Sequence, residues 1–342
     1  MKQMSIRAAL NQAHQQIMAK DERIVLIGED IVGGRGLEGQ ELGGAFGITA
    51  GLATEFGIAR VIDTPISESA FVGMAVGAAM TGLKPIAEIM FCDFIGVCFD
   101  QLLNQAAKIR FLSNDRLEMP LVIRTTMGAG DGSGATHSQA LHGLLASVPG
   151  LIVACPATPS DAAGLLKSAV AGPAPVILME HKGLYDLEMK VDEGLPAVSL
   201  GAGTKVREGT DLTIVAISAM RHKAVDAAEK LAKQGISAEI IDPRTVAPLD
   251  TTLIQSSLQK TSRILVVDEG TQIGGVADSI AAFAARDCFA DLKAAPAVVT
   301  PPQTPVPYGR KAEALWLPGV DYIVATAIGL MDQTGPGEMN ER

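Results

Sequence analysis

The sequence predicts an α/β protein built from two doubly wound domains, and three observations carry that expectation. The chain has 342 residues, enough for two domains of ordinary size with a core each. Its strand-like segments are continuous apolar runs separated by helical stretches, the pattern of a parallel sheet covered on both faces. The alternation also lapses once, between roughly residues 184 and 208, and then resumes.

In chain order, a helix is expected at 4–20, then the strands "RIVLIGE" and "RVIDTP", a Gly/Ala-rich helix at 67–82 and the strand "KPIAEIMF". A helix through "FIGVCFDQLLNQAAKIRF" leads to the strand "LVIRTT", a glycine-rich loop, "LIVACP", a helix at 160–171 and "PVILME". These make one domain, residues 1–183. The stretch 184–208, rich in Gly, Pro and charge, reads as a linker. The second domain, 209–332, runs through "DLTIVAIS", the helix "RHKAVDAAEKLAKQG", "SAEIID", a helix from about 250, "RILVVDE", a helix at 274–289 and "APAVVT". Residues 333–342 read as a frayed tail.

Composition narrows the function. Hydrophobic residues make up 48% and charged residues 19%, so the chain is not of the disordered class. A net charge of -10 and the lack of Lys/Arg clusters argue against nucleic acid as a partner. The N-terminal segment has interspersed charges and no apolar core, so it is read as neither a signal nor a transit peptide and the protein as cytoplasmic. The longest apolar run, 70–83, is too short to span a bilayer, which argues against membrane insertion. The four cysteines form no CxxC pair and are expected as reduced core thiols rather than metal ligands.

Several residues sit where chemistry is done in such folds. "GRGLEG", with Gly34, Gly36 and Gly39, has dinucleotide-fingerprint spacing, but no helical stripe opens at its third glycine, so a long loop is the simpler reading. "GAGDGSGATHSQ" (128–139) follows a strand, where open sheets bind ligands, and it carries His137; a tight glycine connector is the plainer alternative. His14 and His222 fall on charged helices and read as solvated, while His142 and His181 read as packing or surface residues. Carboxylates lie at or near strand ends: Glu29, Glu68, Glu88 and Glu180. Glu68 could simply complement a helix dipole. The helix behind it is apolar nearly all round and therefore expected to be buried, which would leave the glutamate partly desolvated and in need of a compensating group.

Taken together, "VLIGED", "DTPISESAFVGMAVGAAMTGLKPIAEIMFCDF", "THSQ", "PGLIVACPATPSDAAGLLKSA", "IIDPRTVAPLD", "ILVVDEG" and "TPVPYG" occur in the order found in one family. The chain resembles the beta subunit of the thiamine diphosphate-dependent component of 2-oxoacid and acetoin dehydrogenase complexes, over nearly its whole length. "FIGVCFDQLLNQAAKIRF" and "EHKGLYD" are most similar to the acetoin dehydrogenase branch.

The resemblance implies a transketolase-like pyrimidine-binding domain followed by a transketolase C-terminal-like domain. It implies an α2β2 heterotetramer in which this chain supplies the pyrimidine side of the thiamine diphosphate site. An alpha subunit would hold the diphosphate through magnesium, using Gly-Asp-Gly and an Asn pair about 25–30 residues later. The "GDG" at 130–132 here has no asparagine after it before Asn340, so that signature is incomplete and the tripeptide is read as a coincidence. By resemblance, Glu68 hydrogen-bonds the pyrimidine nitrogen and favours the imino tautomer that takes the thiazolium proton, and a carboxyl in a dry pocket suits that exchange. Phe94 walls the pyrimidine, with core packing as its plainer role; Glu29 lies near the ring on an acidic proton path; His137 transfers a proton or orients the substrate or lipoyl group. No side-chain metal ligand is implied on this chain: where potassium-binding members have an aspartate it has Gly172, which puts a potassium site in doubt and leaves only backbone carbonyls for one. Acetoin would be cleaved to acetaldehyde and a cofactor-bound hydroxyethyl unit passed to a lipoyl acyltransferase. The alternatives are a pyruvate or branched-chain 2-oxoacid dehydrogenase subunit, a non-catalytic scaffolding subunit and a self-contained transketolase-like enzyme, the last disfavoured by chain length.

Overall fold

A computed structural model describes residues 1–33 and 43–333. Gly34, Gly36, Gly39 and the tail from residue 334 lie outside the described residues. The chain divides into two compact units, one formed by Met1–Met127 with Leu145–Leu200, the other by Gly128–Leu144 with the chain from Gly201.

In the first unit, strand β1 (Lys2–Ser5) leads into helix α1 (Ile6–Lys20), β2 (Ile24–Gly28), α2 (Leu52–Phe56), β3 (Val61–Asp63), α3 (Glu68–Met80) and β4 (Lys84–Phe91). Helices α4 (Ile95–Asp100) and α5 (Ile109–Leu112) precede β5 (Val122–Met127), and a short α6 (His142–Ala146), whose first three residues belong to the other unit, precedes β6 (Ile152–Ala154), α7 (Pro159–Ala171), β7 (Val176–His181) and β8 (Glu188–Val191). The sheet order is β6-β7-β5-β4-β2-β3, and every pairing in that run is parallel. Period-two alternation splits its side chains between two buried faces. Leu26, Ile86, Val122 and Leu178 join Leu10 and Met18 of α1 and Leu165 and Leu166 of α7 in one core.

Three local departures from the sequence expectation have clear causes. The first helix begins at Ile6, not residue 4, because Ser5 caps it with Oγ accepting from the Ala8 N–H at 3.1 Å, and the preceding residues pair antiparallel with β8. β8 itself lies in the stretch read as irregular; it is short and largely polar, as edge strands tend to be. The expected helix 94–111 is interrupted: Cys98 leaves helical geometry (φ -113°, ψ 17°) and Gln101–Ala106 form a π turn.

The second unit contains β9 (Thr204–Arg207), β10 (Leu212–Ala216), α8 (Met220–Ala232), β11 (Ala238–Asp242), β12 (Thr245–Ala247), α9 (Thr251–Thr261) and β13 (Ile264–Val267). It continues through α10 (Val276–Asp287), β14 (Ala297–Val299), α11 (Arg310–Trp316) and α12 (Val320–Met331). Its sheet runs β14-β13-β10-β11-β9, parallel apart from the antiparallel edge strand β9. The 310–331 segment is apolar enough to pass a membrane test by composition. It breaks after Trp316, however, and Ile323, Val324, Ala327 and Leu330 of α12 pack into this unit's core.

Candidate active site

Gly28, the last residue of β2, runs so close to β4 that an added Cβ would lie 3.0 Å from the Glu88 carbonyl oxygen. The next residue, Glu29, is 7% exposed and accepts from the Ser67 backbone N–H, while its Oε1 has no hydrogen-bond partner among the described residues. Burial, and then the charge of Glu68, push its pKa upward. Glu68 opens α3 and is also 7% exposed, and its charge acts on Glu29, so the two buried carboxylates are neighbours. Burial and the Glu68 charge together push the Cys98 thiol up to about 12, which leaves that cysteine protonated. All four cysteines are buried and none is in a disulfide, as expected of reduced core thiols.

The expectation that α3 is buried all round needs correction. Phe71, Val72, Ala75, Val76 and Ala79 are buried, but Ala70, Met74 and Gly77 leave a face open in the isolated chain. Phe94 is half-buried and meets Phe91 edge-on, centroids 5.6 Å apart at 74°. Phe91 in turn meets Phe46, and Phe46 meets Tyr185, so Phe94 ends a run of four rings in a chain that is only 4% aromatic. Such edge-to-face contacts hold a ring's orientation.

Glu88 and Glu180 have different surroundings from Glu68 and Glu29. Glu88 and Arg124 are direct register partners on β4 and β5, and Arg124 Nη1 donates to Glu88 Oε2 at 2.6 Å. Arg124 also forks onto both oxygens of Glu180, whose Oε2 accepts from the Tyr185 hydroxyl at 2.8 Å. Burial raises the Glu88 pKa against the pull of Arg124, and the two carboxylates hold Arg124 firmly charged despite its burial. Arg124 escaped the sequence reading because one cation in an apolar run carries no spacing signal. His14 also departs from expectation. It is fully buried on the inner stripe of α1 with Leu10 and Met18, its Nδ1 lies 2.7 Å from the Leu10 carbonyl, and burial with the nearby Arg124 lowers its pKa to about 3.

His137 belongs to the second unit, on the glycine-rich loop. It is half-buried, with Nδ1 3.0 Å from Thr136 Oγ1. Gly130, Gly132 and Gly134 all have positive φ, at 124°, 92° and 74°, and their N–H groups converge on the carboxylate of Glu313. Ala129 N–H donates to Glu269. These amides are therefore engaged within the chain and not free to cradle a phosphate. Glu313 was missed; the alternation of glycine at 130, 132 and 134 is the signal that pointed to an anion held by the loop. His142 is buried, with Nε2 2.9 Å from Asp268 Oδ2. Burial opposes its charge, but Asp268 outweighs it and raises the His142 pKa.

A doubly wound unit with paired carboxylates at its strand ends, followed by a second α/β unit, is the arrangement of the transketolase-like class. Accordingly, "Transketolase, pyrimidine binding domain" matches residues 2–188 and "Transketolase, C-terminal domain" matches 201–323. A split-gene transketolase, described as an inactive beta4 tetramer, has the same fold at TM-score 0.76 and 22% identity, covering 97% of this chain and 99% of that one. The chain is 47% identical to the acetoin:2,6-dichlorophenolindophenol oxidoreductase subunit beta of Cupriavidus necator, across 95% of this chain and 97% of that one. It is 42% identical to the Bacillus subtilis protein of the same name (96% and 98% covered). It is 40% identical to the 2-oxoisovalerate dehydrogenase subunit beta of B. subtilis (94% and 97% covered). The chain thus belongs to the beta-subunit family of the thiamine diphosphate-dependent acetoin and 2-oxoacid dehydrogenases.

Proposed function

We propose that this chain is the beta subunit of an acetoin dehydrogenase, supplying the pyrimidine half of a thiamine diphosphate site completed by an alpha subunit. The observation that carries this reading lies at the end of β2, where Glu29 Oε1 is buried without a hydrogen-bond partner among the described residues and Glu68 acts on it. An orphaned acceptor of that kind calls for a donor from outside the chain, and the exocyclic amine of a pyrimidine is one. Glu68 would hold the proton at a pyrimidine ring nitrogen, Glu29 would accept from the amine side, and Phe94 would wall the ring. His137 would move a proton at the substrate oxygen or orient the incoming lipoyl group. When bound, thiamine diphosphate supplies a nucleophilic thiazolium carbon for attack on a carbonyl.

Diphosphate and magnesium are assigned to the alpha subunit. In support, the amides of the glycine-rich loop that follows β5 are engaged by Glu313 and Glu269. The open face of α3, beside Glu68, fits burial against that subunit in an α2β2 assembly. Cleavage of acetoin would release acetaldehyde and pass a two-carbon unit to a lipoyl acyltransferase. The substrate assignment rests on the relatives named for acetoin; the 40% identical 2-oxoisovalerate relative favours a 2-oxoacid as the second reading.

The test is reduction of an artificial electron acceptor by the complex that co-purifies with this chain, with added thiamine diphosphate and magnesium. Turnover with acetoin but not with pyruvate or branched-chain 2-oxoacids supports the first reading. Preference for a 2-oxoacid replaces it with the second. Tight stoichiometric binding of the cofactor to the isolated chain, read by titration calorimetry, overturns the half-site.

A further inference from the structure

We infer that Glu313 is a positioning residue for His137, the carboxylate on which the His137 loop is wound. The inference rests on the role proposed for His137 above. Glu313 lies on α11, about 180 residues along the chain from the loop, and is 0% exposed. Its Oε2 accepts from Gly130 N–H at 2.6 Å and Gly132 N–H at 2.7 Å, and its Oε1 from Gly134 N–H at 2.9 Å. The Ser138 hydroxyl lies 3.5 Å from the same Oε1. Residues 134 and 138 are thereby tied to one oxygen, with His137 on the arc between them and its own N–H donating to the Gly134 carbonyl at 3.2 Å.

The backbone geometry serves this carboxylate. Alternate residues at positive φ turn successive N–H groups to one side, the nest arrangement that binds anions. The space around the loop is closed as well. A Cβ at Gly132 would meet the Arg310 backbone nitrogen at 3.1 Å, and one at Gly134 would meet Tyr308 at 3.2 Å. Gly309 N–H and Arg310 Nε bond back to the carbonyls of Gly132 and Asp131. The segment around Glu313 thus grips the loop through both donors and acceptors. A charged acceptor that satisfies three amides at once can fix a loop that lacks side chains of its own to pack.

The test is a double-mutant cycle in the complex assembled with its alpha subunit, using E313Q, H137A and the double variant. The amide of E313Q keeps the shape but sets N–H against N–H at one of the two oxygens. Displacing a catalytic group by about 1 Å costs on the order of 100-fold in rate, so E313Q is expected to lower kcat about 10- to 100-fold with KM little changed. In the H137A background the same substitution is expected to cost less than about 3-fold, because residues that act as a unit are not additive. E313D, which keeps the charge but is one methylene short, carries the same cycle if E313Q fails to assemble, with a graded loss expected. Equal losses from the Glu313 substitution with and without His137, or turnover at the wild-type level, overturn the positioning role. Wild-type turnover in H137A instead overturns the role of His137 itself and takes the positioning role with it.

Discussion

The guanidinium of Arg124 meets the carboxylate of Glu180 in a two-pronged fork, Nε to Oε1 at 2.8 Å and Nη2 to Oε2 at 2.7 Å, with both side chains shielded from solvent. Glu88 takes the remaining Nη1, and α1 covers the same face of the sheet with His14. Two carboxyl groups thus share one cation inside the first unit, and the Tyr185 hydroxyl donates to Glu180 as well.

Removing the cation therefore costs more than removing the whole cluster. R124M leaves two buried carboxylates uncompensated and is expected to lower unfolding free energy by about 3–5 kcal/mol. Adding E88Q and E180Q to R124M is expected to recover much of that loss. Urea unfolding of wild type, R124M and the triple variant checks this; a mild R124M with no recovery would show that water reaches the cluster.

His14 predicts an acid-side instability. Its folded-state pKa of about 3 lies below the usual 6.5, so the native state binds the proton less readily than the unfolded chain. Stability is fully present above 6.5 and falls as pH drops towards 3. At pH 5 the loss from this one residue is about 2 kcal/mol. H14Q, which cannot titrate, is expected to show a flatter stability profile between pH 7 and pH 4. Parallel profiles for wild type and H14Q in that window would mean that His14 gains water or a partner on protonation.

The open face of α3 gives a prediction with opposite signs for folding and assembly. A Cβ at Gly77 meets nothing within 4 Å in the isolated chain. G77L replaces the poorer helix former by a good one, worth up to about 1 kcal/mol, so the isolated chain should melt higher. If this face seats the alpha subunit, the added leucine should abolish co-purification. A G77L chain that both melts higher and assembles normally would remove α3 from the proposed interface.

The fold was legible because buried parallel strands announce themselves as apolar runs such as "LVIRTT" and "ILVVDE", whatever their neighbours. What escaped depended on partners distant in sequence. His14 reads as polar on a polar helix, and only the stripe Leu10–His14–Met18 shows that it faces inward. β8 reads as linker because an edge strand needs no apolar alternation, only β1 beside it. Glu313 and the loop it holds lie too far apart for any local pattern to connect them. Glu68 and Glu29 stand out as candidates in the sequence because each sits at a strand-to-helix or strand-to-loop junction, a place that local pattern does locate.

Those two carboxylates carry the last prediction. Burial and the neighbouring Glu68 raise the folded-state pKa of Glu29 above its ordinary 4.5. A raised carboxylate contributes stability that is present below the unfolded value and lost as pH rises through the folded value. Wild-type stability should therefore carry a downward slope above pH 4.5 that E29Q removes, leaving E29Q the more stable chain at pH 7–8. In the assembled complex, E68Q is expected to lower kcat by about 100-fold or more, the scale of a lost general acid–base group, without blocking assembly. E29Q should lower it less, since Glu29 is proposed at the amine side of the ring and not at the nitrogen that takes the proton. Urea midpoints at pH 4, 6 and 8 read the first effect and acceptor reduction reads the second. A less stable E29Q at pH 8 would mean that Oε1 has a donor in the free chain, and a fully active E68Q would remove the proton role from Glu68.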